Sequence, residues 1–429
     1  MLTGLCLVFS LMMFAGCASA PWKGEGKRPK KIDYNHKNAV IMFMNEGLRL
    51  HYAGKFEESN LNLEKAEAKI EELFTKSLTR RAASLMINDY TIPYRGEDFE
   101  NVMTNLFMGL NYMLLGRGED ALVEARKVDI KLNVINDRYE SDKKNVYTED
   151  AFVRFIMGLL YESENEMNDA FVSYRKAESI YGRYRNQYGV PVPGTLLRKL
   201  VSSTGAVLFE DELKHYRDKY PHITPRESSN PGLSGEIFFF HHNGPCPRKV
   251  ENALTIRMPD GYLLRIAVPR FRRRPYSIKK CEIILRSKTD GGVYRTRTEK
   301  GEDIGAIAIR NLENRMARIR TKAVARATAK YLATKAAGMA VRDKKGRDWS
   351  WVIRGIMNIF TVLTERADLR FCDLLPDRID IGDLIVPAGD YNVNVRTLNA
   401  RGRIVGRLKL ADIRINTGEK KFVSFRTVK

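Results

Sequence analysis

A histidine pair followed by a cysteine is the segment of this 429-residue chain whose side chains are best suited to chemistry. It reads His241-His242-Asn243-Gly244-Pro245-Cys246 and follows a run of β-forming residues. A thiol beside an imidazole is the pattern of a cysteine nucleophile with its general base, so Cys246 and His242 are a candidate catalytic pair. Because adjacent strand residues point to opposite faces, His241 and His242 are poorly placed to bind one metal ion. A structural role in a turn at the end of a strand is the simpler interpretation.

A second group of candidate residues is a series of carboxylates. It comprises Asp368, Asp373, Asp377, Asp380 and Asp383. Paired carboxylates serve in hydrolysis, whereas aspartates in loops more often form turns and helix caps. No nucleotide-binding glycine loop, serine-hydrolase elbow, zinc-protease motif or EF-hand loop occurs in the sequence. We therefore expect no cofactor, no metal and no enzymatic activity.

The basic charge of the chain is concentrated in its second half. With 73 Lys and Arg against 52 Asp and Glu, the net charge is +21. Residues 17–220 contain 31 basic and 31 acidic side chains, and residues 221–429 contain the remaining 42 and 21. An apolar content of 44% excludes a wholly disordered chain, and the length allows two or three domains.

A pattern that begins with a glycine recurs three times in the neutral half. The starting residues are Gly47, Gly109 and Gly158, and a Gly or Asn follows seven positions later in each copy. Small or apolar residues then recur at spacings typical of one face of a second helix. The pattern resembles the tetratricopeptide repeat, an antiparallel helix pair that stacks into a solenoid. We expect the repeats to bind a protein partner, with Tyr112, Tyr161 and Tyr174 as its contacts.

The basic half has the pattern of a β-rich domain. Short β-forming runs begin at Gly235, helical sequence interrupts them over residues 304–366, and strands return after Pro376. The predicted fold class is α+β multidomain: an N-terminal tetratricopeptide-like α-helical solenoid followed by a β-rich sandwich or small barrel with inserted helices. The helical-repeat domain is expected at 36–220, a linker at 221–234 and the β-rich domain at 235–429.

The N-terminus has the features of an export signal. Residues 2–16 carry no charge, are too short to span a bilayer, and lead into Cys17. The sequence Met13-Phe14-Ala15-Gly16-Cys17 resembles the lipobox of bacterial lipoproteins, in which the cysteine is acylated after cleavage. This resemblance implies a signal peptide over 1–16, acyl chains such as palmitate on Cys17, a lipidated tether over 17–35 and, with Ala18 next, attachment to the outer membrane facing the periplasm. The alternative is a buried apolar helix containing a core cysteine.

Basic side chains form a predicted surface for an anionic ligand. Five of them recur along the long inserted helix, and three lie in a segment that we expect to be a loop: Arg315, Arg318, Lys322, Arg326 and Lys330, with Arg272, Arg273 and Arg274. A solvated helix face is the ordinary interpretation, and a surface for anionic lipid, lipopolysaccharide or peptidoglycan is the other. We expect no nucleic acid, because an exported chain rarely meets any. The sequence does not decide whether two of Cys246, Cys281 and Cys372 form one disulfide or all three are free buried thiols.

Several segments together resemble an uncharacterised family of proteobacterial outer-membrane lipoproteins. They are the lipobox, the degenerate helix pairs, the HHNGP segment and the track ADLRFCDLLPDRIDIGDLIVPAGDY at 367–391. The resemblance implies outer-membrane attachment, company with lipoproteins that activate penicillin-binding proteins, and no known activity. The leading hypothesis is a lipid-anchored periplasmic scaffold. The competing hypotheses are an envelope enzyme using His242 and Cys246 or the Asp368–Asp383 carboxylates, and a lipid or lipopolysaccharide carrier.

Overall fold

The computed structural model describes residues 32–78, 89–137, 147–206, 210–224, 231–342 and 350–429. The predicted signal peptide, Cys17 and most of the predicted tether lie outside these ranges. In the described part of the chain, no helix is both long enough and apolar enough to cross a membrane.

Helices occupy the first half of the chain and pack as antiparallel pairs. Their bounds are α1 Ala39–Tyr52, α2 Phe56–Leu78, α3 Asp98–Leu114, α4 Gly118–Asp137, α5 Ala151–Ser163, α6 Met167–Tyr188, α7 Gly194–Ala206 and α8 Glu210–Lys219. Each odd-numbered helix packs against the next one, and each pair packs against the following pair through α2 and α3, α4 and α5, and α6 and α7. The predicted helical solenoid is therefore confirmed. The pair α7–α8 adds a fourth unit that the sequence pattern did not predict, because it lacks the recurring glycine.

The recurring glycine pattern has the predicted roles at most of its positions. Gly54, Gly116 and Asn165 have φ angles of 75°, 73° and 65°, the left-handed conformation that turns the chain between the helices of a pair. At Gly158 an added Cβ atom would lie 2.3 Å from the ring of Tyr174, so only glycine permits this approach of α5 and α6. At Gly109 the neighbouring atoms are at ordinary contact distances, and the glycine is not required by packing there.

The second half of the chain forms two sheets, a separate two-stranded ribbon and two inserted helices. The strands are β1 Ser234–Pro245, β2 Arg248–Arg257, β3 Leu263–Arg272, β4 Lys280–Ser287, β5 Val293–Arg297, β6 Glu299–Glu302, β7 Pro376–Pro387, β8 Gly389–Leu398, β9 Ile404–Lys409, β10 Ile413–Ile415 and β11 Lys420–Thr427. The inserted helices are α9 Ile304–Arg342 and α10 Ser350–Thr364. One sheet has the order β11-β1-β7-β6, the other has β5, β4 and β8 with β9 and β10 on the far side of β8, and β2 pairs with β3 as the ribbon.

The two sheets pack as a sandwich and do not close into a barrel. Ile237 and Phe239 of β1 pack with Ile283 of β4 and Val393 of β8 in one hydrophobic cluster. Since side chains alternate along a strand, the neighbouring residues of β1 point away from this cluster. The sandwich is therefore the correct one of the two predicted alternatives.

The opposite face of β1 is covered by the helical half. Phe238 and Phe240 belong to a hydrophobic cluster that also contains residues of α1 to α7, and Phe152 of α5 meets Phe240 edge to face. All eleven residues from Ser234 to Gly244 are buried. The odd-numbered helices therefore pack against the chain's own sheet. The predicted borders at 220 and 235 stay predictions, and the parts on either side of them share one continuous core.

Candidate anion-binding pocket and buried histidines

The histidine-containing segment lies within a central strand and not in a turn. Strand β1 runs to Pro245, and His241, His242 and Asn243 are paired with β11 on one side and with β7 on the other. The predicted turn is therefore wrong, because two neighbouring strands continue the ladder past the β-forming run. The prediction that the histidines point to opposite faces is confirmed by their contacts.

His242 points toward the helices and completes a buried polar network. Its Nε2 atom lies 3.0 Å from Oγ of Ser424 and 3.3 Å from Nε2 of His51 on α1. The His51 Nδ1 atom is 2.5 Å from Oδ1 of Asn111, whose amide nitrogen donates to Ser59 and Asn60. The network joins three helices to the sheet.

The network assigns one tautomer to each imidazole. The Asn111 amide nitrogen already donates, so its Oδ1 accepts a hydrogen bond from the Nδ1–H of His51. His51 then accepts at Nε2 from the Nε2–H of His242. Burial lowers the pKa of His51 to about 4 and that of His242 well below its usual value. Both rings are therefore neutral at pH 7.

His241 points into the sandwich and forms a second buried network. Its Nε2 atom lies 2.7 Å from Oγ1 of Thr427 and 3.7 Å from the sulfur of Cys281, and its Nδ1 atom lies 3.4 Å from Oδ2 of Asp380. A carboxylate, an imidazole and a hydroxyl or thiol in sequence are the elements of a catalytic relay. Here the His241 and Cys281 side chains are fully buried, and burial raises the pKa of the Cys281 thiol. The arrangement in this conformation is structural.

The three described cysteines are free buried thiols. Burial raises the pKa of Cys246 and of Cys372 well above the usual value, which disfavours the reactive thiolate. The polar partners of the His242 ring are His51 and Ser424, so the structure does not form the predicted Cys246–His242 pair.

The aspartates of the 368–383 series have separate cationic partners. Asp368 pairs with Arg370, Asp380 with Arg378, and Asp383 with Arg198 of α7. Asp373 is exposed. Among the described residues these carboxylates do not come together as an acid–base pair, and Asp377 lines a cavity.

That cavity has a volume of about 290 Å³ and is lined mainly by charged side chains. The lining residues are Arg273, Arg274, Pro275, Tyr276, Lys279, Lys300, Asp303, Asp377 and Arg378. Five of them are cationic and two are acidic, so cations outnumber carboxylates by three. We call this cavity the basic pocket.

The acidic groups of the basic pocket are held by two of its cations. Arg273 Nη1 lies 3.3 Å from both carboxylate oxygens of Asp377, and Lys300 Nζ lies 2.9 Å from Oδ2 of Asp303. Arg378 pairs with Asp380, which lies outside the lining. Arg274 donates to the backbone oxygens of Cys246 and Asp373. Arg274 and Lys279 therefore contribute positive charge that no lining carboxylate neutralises.

Electrostatics of the basic pocket favour an anion. The pKa of Lys279 is lowered by burial and by the nearby charge of Arg378. The pKa of Arg274 is lowered by burial, with further lowering by Arg426 and Arg248. An anionic ligand would relieve this repulsion, since opposite charge stabilises the charged form of each base.

Two glycines leave room for the side chains that form the wall of the basic pocket. Gly244, at the end of the histidine segment, has a φ of 69°, and an added Cβ would lie 2.6 Å from the Tyr276 ring. Tyr276 can therefore pack on β1 and donate its hydroxyl to Asp377 at 2.7 Å. At Gly305, in the first turn of α9, an added Cβ would lie 2.1 Å from Oδ1 of Asp377. The segment that contains His241 and His242 therefore also shapes this cavity, through Gly244.

The predicted anionic-ligand residues are divided between surface and interior. Arg272 and Arg273 are exposed, but β3 extends to Arg272, so the expected loop begins only at Arg273. Arg318 is exposed and Lys322 is half-buried. Three others bind acidic groups of the chain itself: Arg315 pairs with Glu97, and Arg326 and Lys330 pair with Glu365. Arg326 is buried and forms no part of the surface.

The three predicted partner-binding tyrosines also differ in exposure. Tyr112 and Tyr161 are half-buried, with Arg117 over one ring and Arg126 donating to the hydroxyl of the other at 3.0 Å. Tyr174 is fully buried and donates to Glu162 at 2.5 Å. In this conformation Tyr174 is a core residue, because α5 and α6 meet over it.

Sequence reasoning missed Lys279, Lys300 and Arg378 as members of a site. None of them lies in a recognisable motif, and about 100 residues separate the first from the last. The two sheets and the start of α9 bring them together, which no local spacing signals.

Comparisons with known proteins find helical-repeat structures. BtubC (BKLC) from P. vanneervenii is 13% identical, with 44% of this chain and 68% of that chain covered and a TM-score of 0.27. A putative kinesin light chain of TPR-like repeats from Podosopora anserina is 10% identical over 46% and 81%, with a TM-score of 0.28. No protein-family model and no curated protein matches this chain. These likenesses are too low to support conclusions about function.

The fold places the protein among helical-repeat proteins. Stacked antiparallel helix pairs form solenoids with extended surfaces. Here such a solenoid is joined to a β-sandwich that covers the odd-numbered helices and carries a basic pocket.

Proposed function

We propose that the protein is a non-enzymatic scaffold of the bacterial cell envelope, held in the outer membrane by acyl chains on Cys17 and facing the periplasm. In this proposal the helix pairs bind a protein partner and the basic pocket binds an anionic envelope component. The observation that carries the proposal is the contrast between an open pocket with surplus positive charge and histidines and cysteines that are buried in the core. A link to peptidoglycan synthesis rests on the family resemblance alone.

We infer the partner-binding face of the solenoid by excluding the face that the chain's own sheet covers. The odd-numbered helices are packed against β1 and β11, so that face is occupied by the chain itself. Tyr112 and Tyr161 remain half-exposed beside arginines on the first helices of two consecutive pairs. We assign the protein partner to the surface around these two tyrosines.

Lys279→Gln is expected to weaken binding of an anionic ligand to the basic pocket. Replacing the ammonium group by a neutral amide costs about 1 kcal/mol of binding free energy, which is roughly a fivefold loss of affinity. Titration calorimetry with lipopolysaccharide and with soluble peptidoglycan fragments measures this loss and distinguishes the two sources. Lys280→Gln, an equal charge change at the exposed neighbour on β4, is the control. Equal affinities for the two variants would contradict the assignment.

Cys17→Ser is expected to release the protein from the outer membrane. Acyl chains anchor by burying methylene groups, and the described helices supply no membrane span in their place. Cross-linking in living cells, followed by affinity purification and mass spectrometry, should recover an envelope protein with the wild type and lose it with this variant. Retention of the variant in the outer-membrane fraction together with the same partner would refute the anchor.

A further inference from the structure

Part of the β-rich half forms an arm that exposes aliphatic side chains. The arm comprises the β2–β3 ribbon at 248–272, the second part of α9 at 323–342 and α10 at 350–364. Its exposed apolar residues are Leu254, Ile256, Leu263, Val324, Leu332, Met339, Ile356 and Ile359. Ile356 and Ile359 are each 63% exposed, which is unusual for a helix whose only charged residue is Arg354.

The ribbon contributes an uncovered apolar face. Cross-strand pairing sets Leu254 opposite Ile266 and Ile256 opposite Leu264, so that four aliphatic residues share one face. Among the strands that the structure describes, β2 pairs with β3 alone, and residues 252–257 are all exposed. Leu254 and Ile256 therefore contact solvent on a strand that no other sheet protects.

Polar contacts hold the elements of the arm in one platform. Asn358 of α10 exchanges hydrogen bonds with the backbone of Leu263, at 3.1 Å to its N–H and 3.0 Å to its carbonyl. The Tyr262 hydroxyl lies 2.9 Å from Oγ1 of Thr361, and its ring meets that of Tyr331 on α9. The exposed residues Ile356, Ile359 and Leu263 are therefore fixed near one another.

The charge of the arm identifies the partner that it fits. The part of α9 that belongs to the arm contains four Lys and Arg, of which Arg326 and Lys330 pair with Glu365, and neither this part nor α10 contains an acidic residue. The ribbon adds exposed Arg257, Arg270 and Arg272. Aliphatic side chains surrounded by bases, with few acids, are the composition of surfaces that lie in the interface of an anionic bilayer.

We propose that this arm docks on a lipid bilayer with anionic headgroups, with its aliphatic residues in the interface and its bases against phosphates. The position of the N-terminal part of the described chain supports this docking. The side chain of Asn38 accepts a hydrogen bond from Arg370, and the Arg370 carbonyl accepts one from Lys249 at the start of β2. This point depends on the proposed anchor at Cys17, whereas the arm's composition does not.

Vesicle flotation of the mature chain, residues 17–429 with Cys17→Ser, tests the arm without acyl chains. The probes are phosphatidylcholine vesicles with and without roughly 30% phosphatidylglycerol. We expect binding to the anionic vesicles only, and a loss of roughly tenfold or more in partitioning for Ile356→Ser/Ile359→Ser. Ile130→Ser/Val172→Ser, which changes exposed residues of α4 and α6, is the matched control and should stay within about twofold.

Leu254→Ser/Ile256→Ser on the ribbon is a second arm variant, should the α10 variant fail to fold. Absence of wild-type binding, equal binding to both vesicles, or full binding by a folded arm variant would overturn the proposal. So would sedimentation showing that the arm residues join two copies of the chain. Both arm variants leave the lining of the basic pocket unchanged and should bind soluble peptidoglycan fragments as the wild type does, so a failure of the arm is distinguishable from a failure of the basic pocket.

Discussion

Lys199→Met is expected to destabilise the protein by about 3–5 kcal/mol. Lys199 of α7 is buried and lies 2.9 Å from Oε1 of Glu162 on α5, and it also binds Glu236 on β1. Without the ammonium group, Glu236 loses the only cation paired with it among the described residues, and burial already raises the pKa of Glu236. Urea unfolding at pH 7 measures the loss.

Two further variants separate this effect from a general loss of surface charge. Lys55→Met removes an exposed lysine 3.9 Å from Glu58 and should change stability by about 0.5 kcal/mol or less. Lys199→Met combined with Glu162→Gln and Glu236→Gln should recover much of the stability, because no charge is then left buried without a partner. A loss below about 1 kcal/mol for Lys199→Met would show that this ion-pair group does not hold the helices to the sheet.

Acidification from pH 7 to pH 5 is expected to lower the free energy of unfolding by about 2 kcal/mol through His51 alone. Its pKa falls from 6.5 in the unfolded chain to about 4 in the fold, chiefly because burial disfavours the charged ring. Between these values the unfolded state binds the proton and the folded state does not, so stability falls as the pH falls through this window. His242 and His241, whose pKa values are also lowered, act in the same direction.

His51→Gln should make unfolding less dependent on pH in this range. The glutamine amide can still donate toward Asn111 but does not titrate. Urea unfolding at pH 7, 6 and 5 compares the slopes of wild type, His51→Gln and His222→Gln, the last changing an exposed residue. If the free energy of unfolding depended on pH with the same slope in all three proteins, the assignment of a neutral, buried His51 would be refuted.

Local patterns predicted the elements well because their causes are local. A residue with a left-handed conformation, seven positions after a helical glycine, ends the first helix of each pair. The turns at Gly54, Gly116 and Asn165 could be predicted on that basis. The return of strands after Pro376 was likewise predicted, and in β8 the alternating residues Tyr391, Val393 and Val395 form the apolar face that points inward. The fourth helix pair was missed because it lacks the recurring glycine by which the other three pairs were recognised.

Site residues were less predictable, since exposure depends on what the rest of the chain covers. A tyrosine at a repeat position is half-buried at Tyr112 but a core residue at Tyr174. A basic stripe on α9 was correct as a helical pattern, yet Glu365 turns Arg326 into a buried ion pair from 39 residues away. The place of Asp377 in the series of aspartates did not indicate that its carboxylate would accept hydrogen bonds from Arg273 and Tyr276.

The sequence by itself determined the order of helices and strands, the turns of the repeats, the concentration of positive charge in the second half and the opposite orientation of His241 and His242. These depend on backbone conformation and periodicity, which neighbouring residues set. Only the tertiary structure decided that the sheet covers the odd-numbered helices, that the histidines are buried and neutral, and that Lys279, Lys300 and Arg378 line one pocket. Burial and charge at a point in space are sums over residues distant in the chain, and no local spacing specifies them.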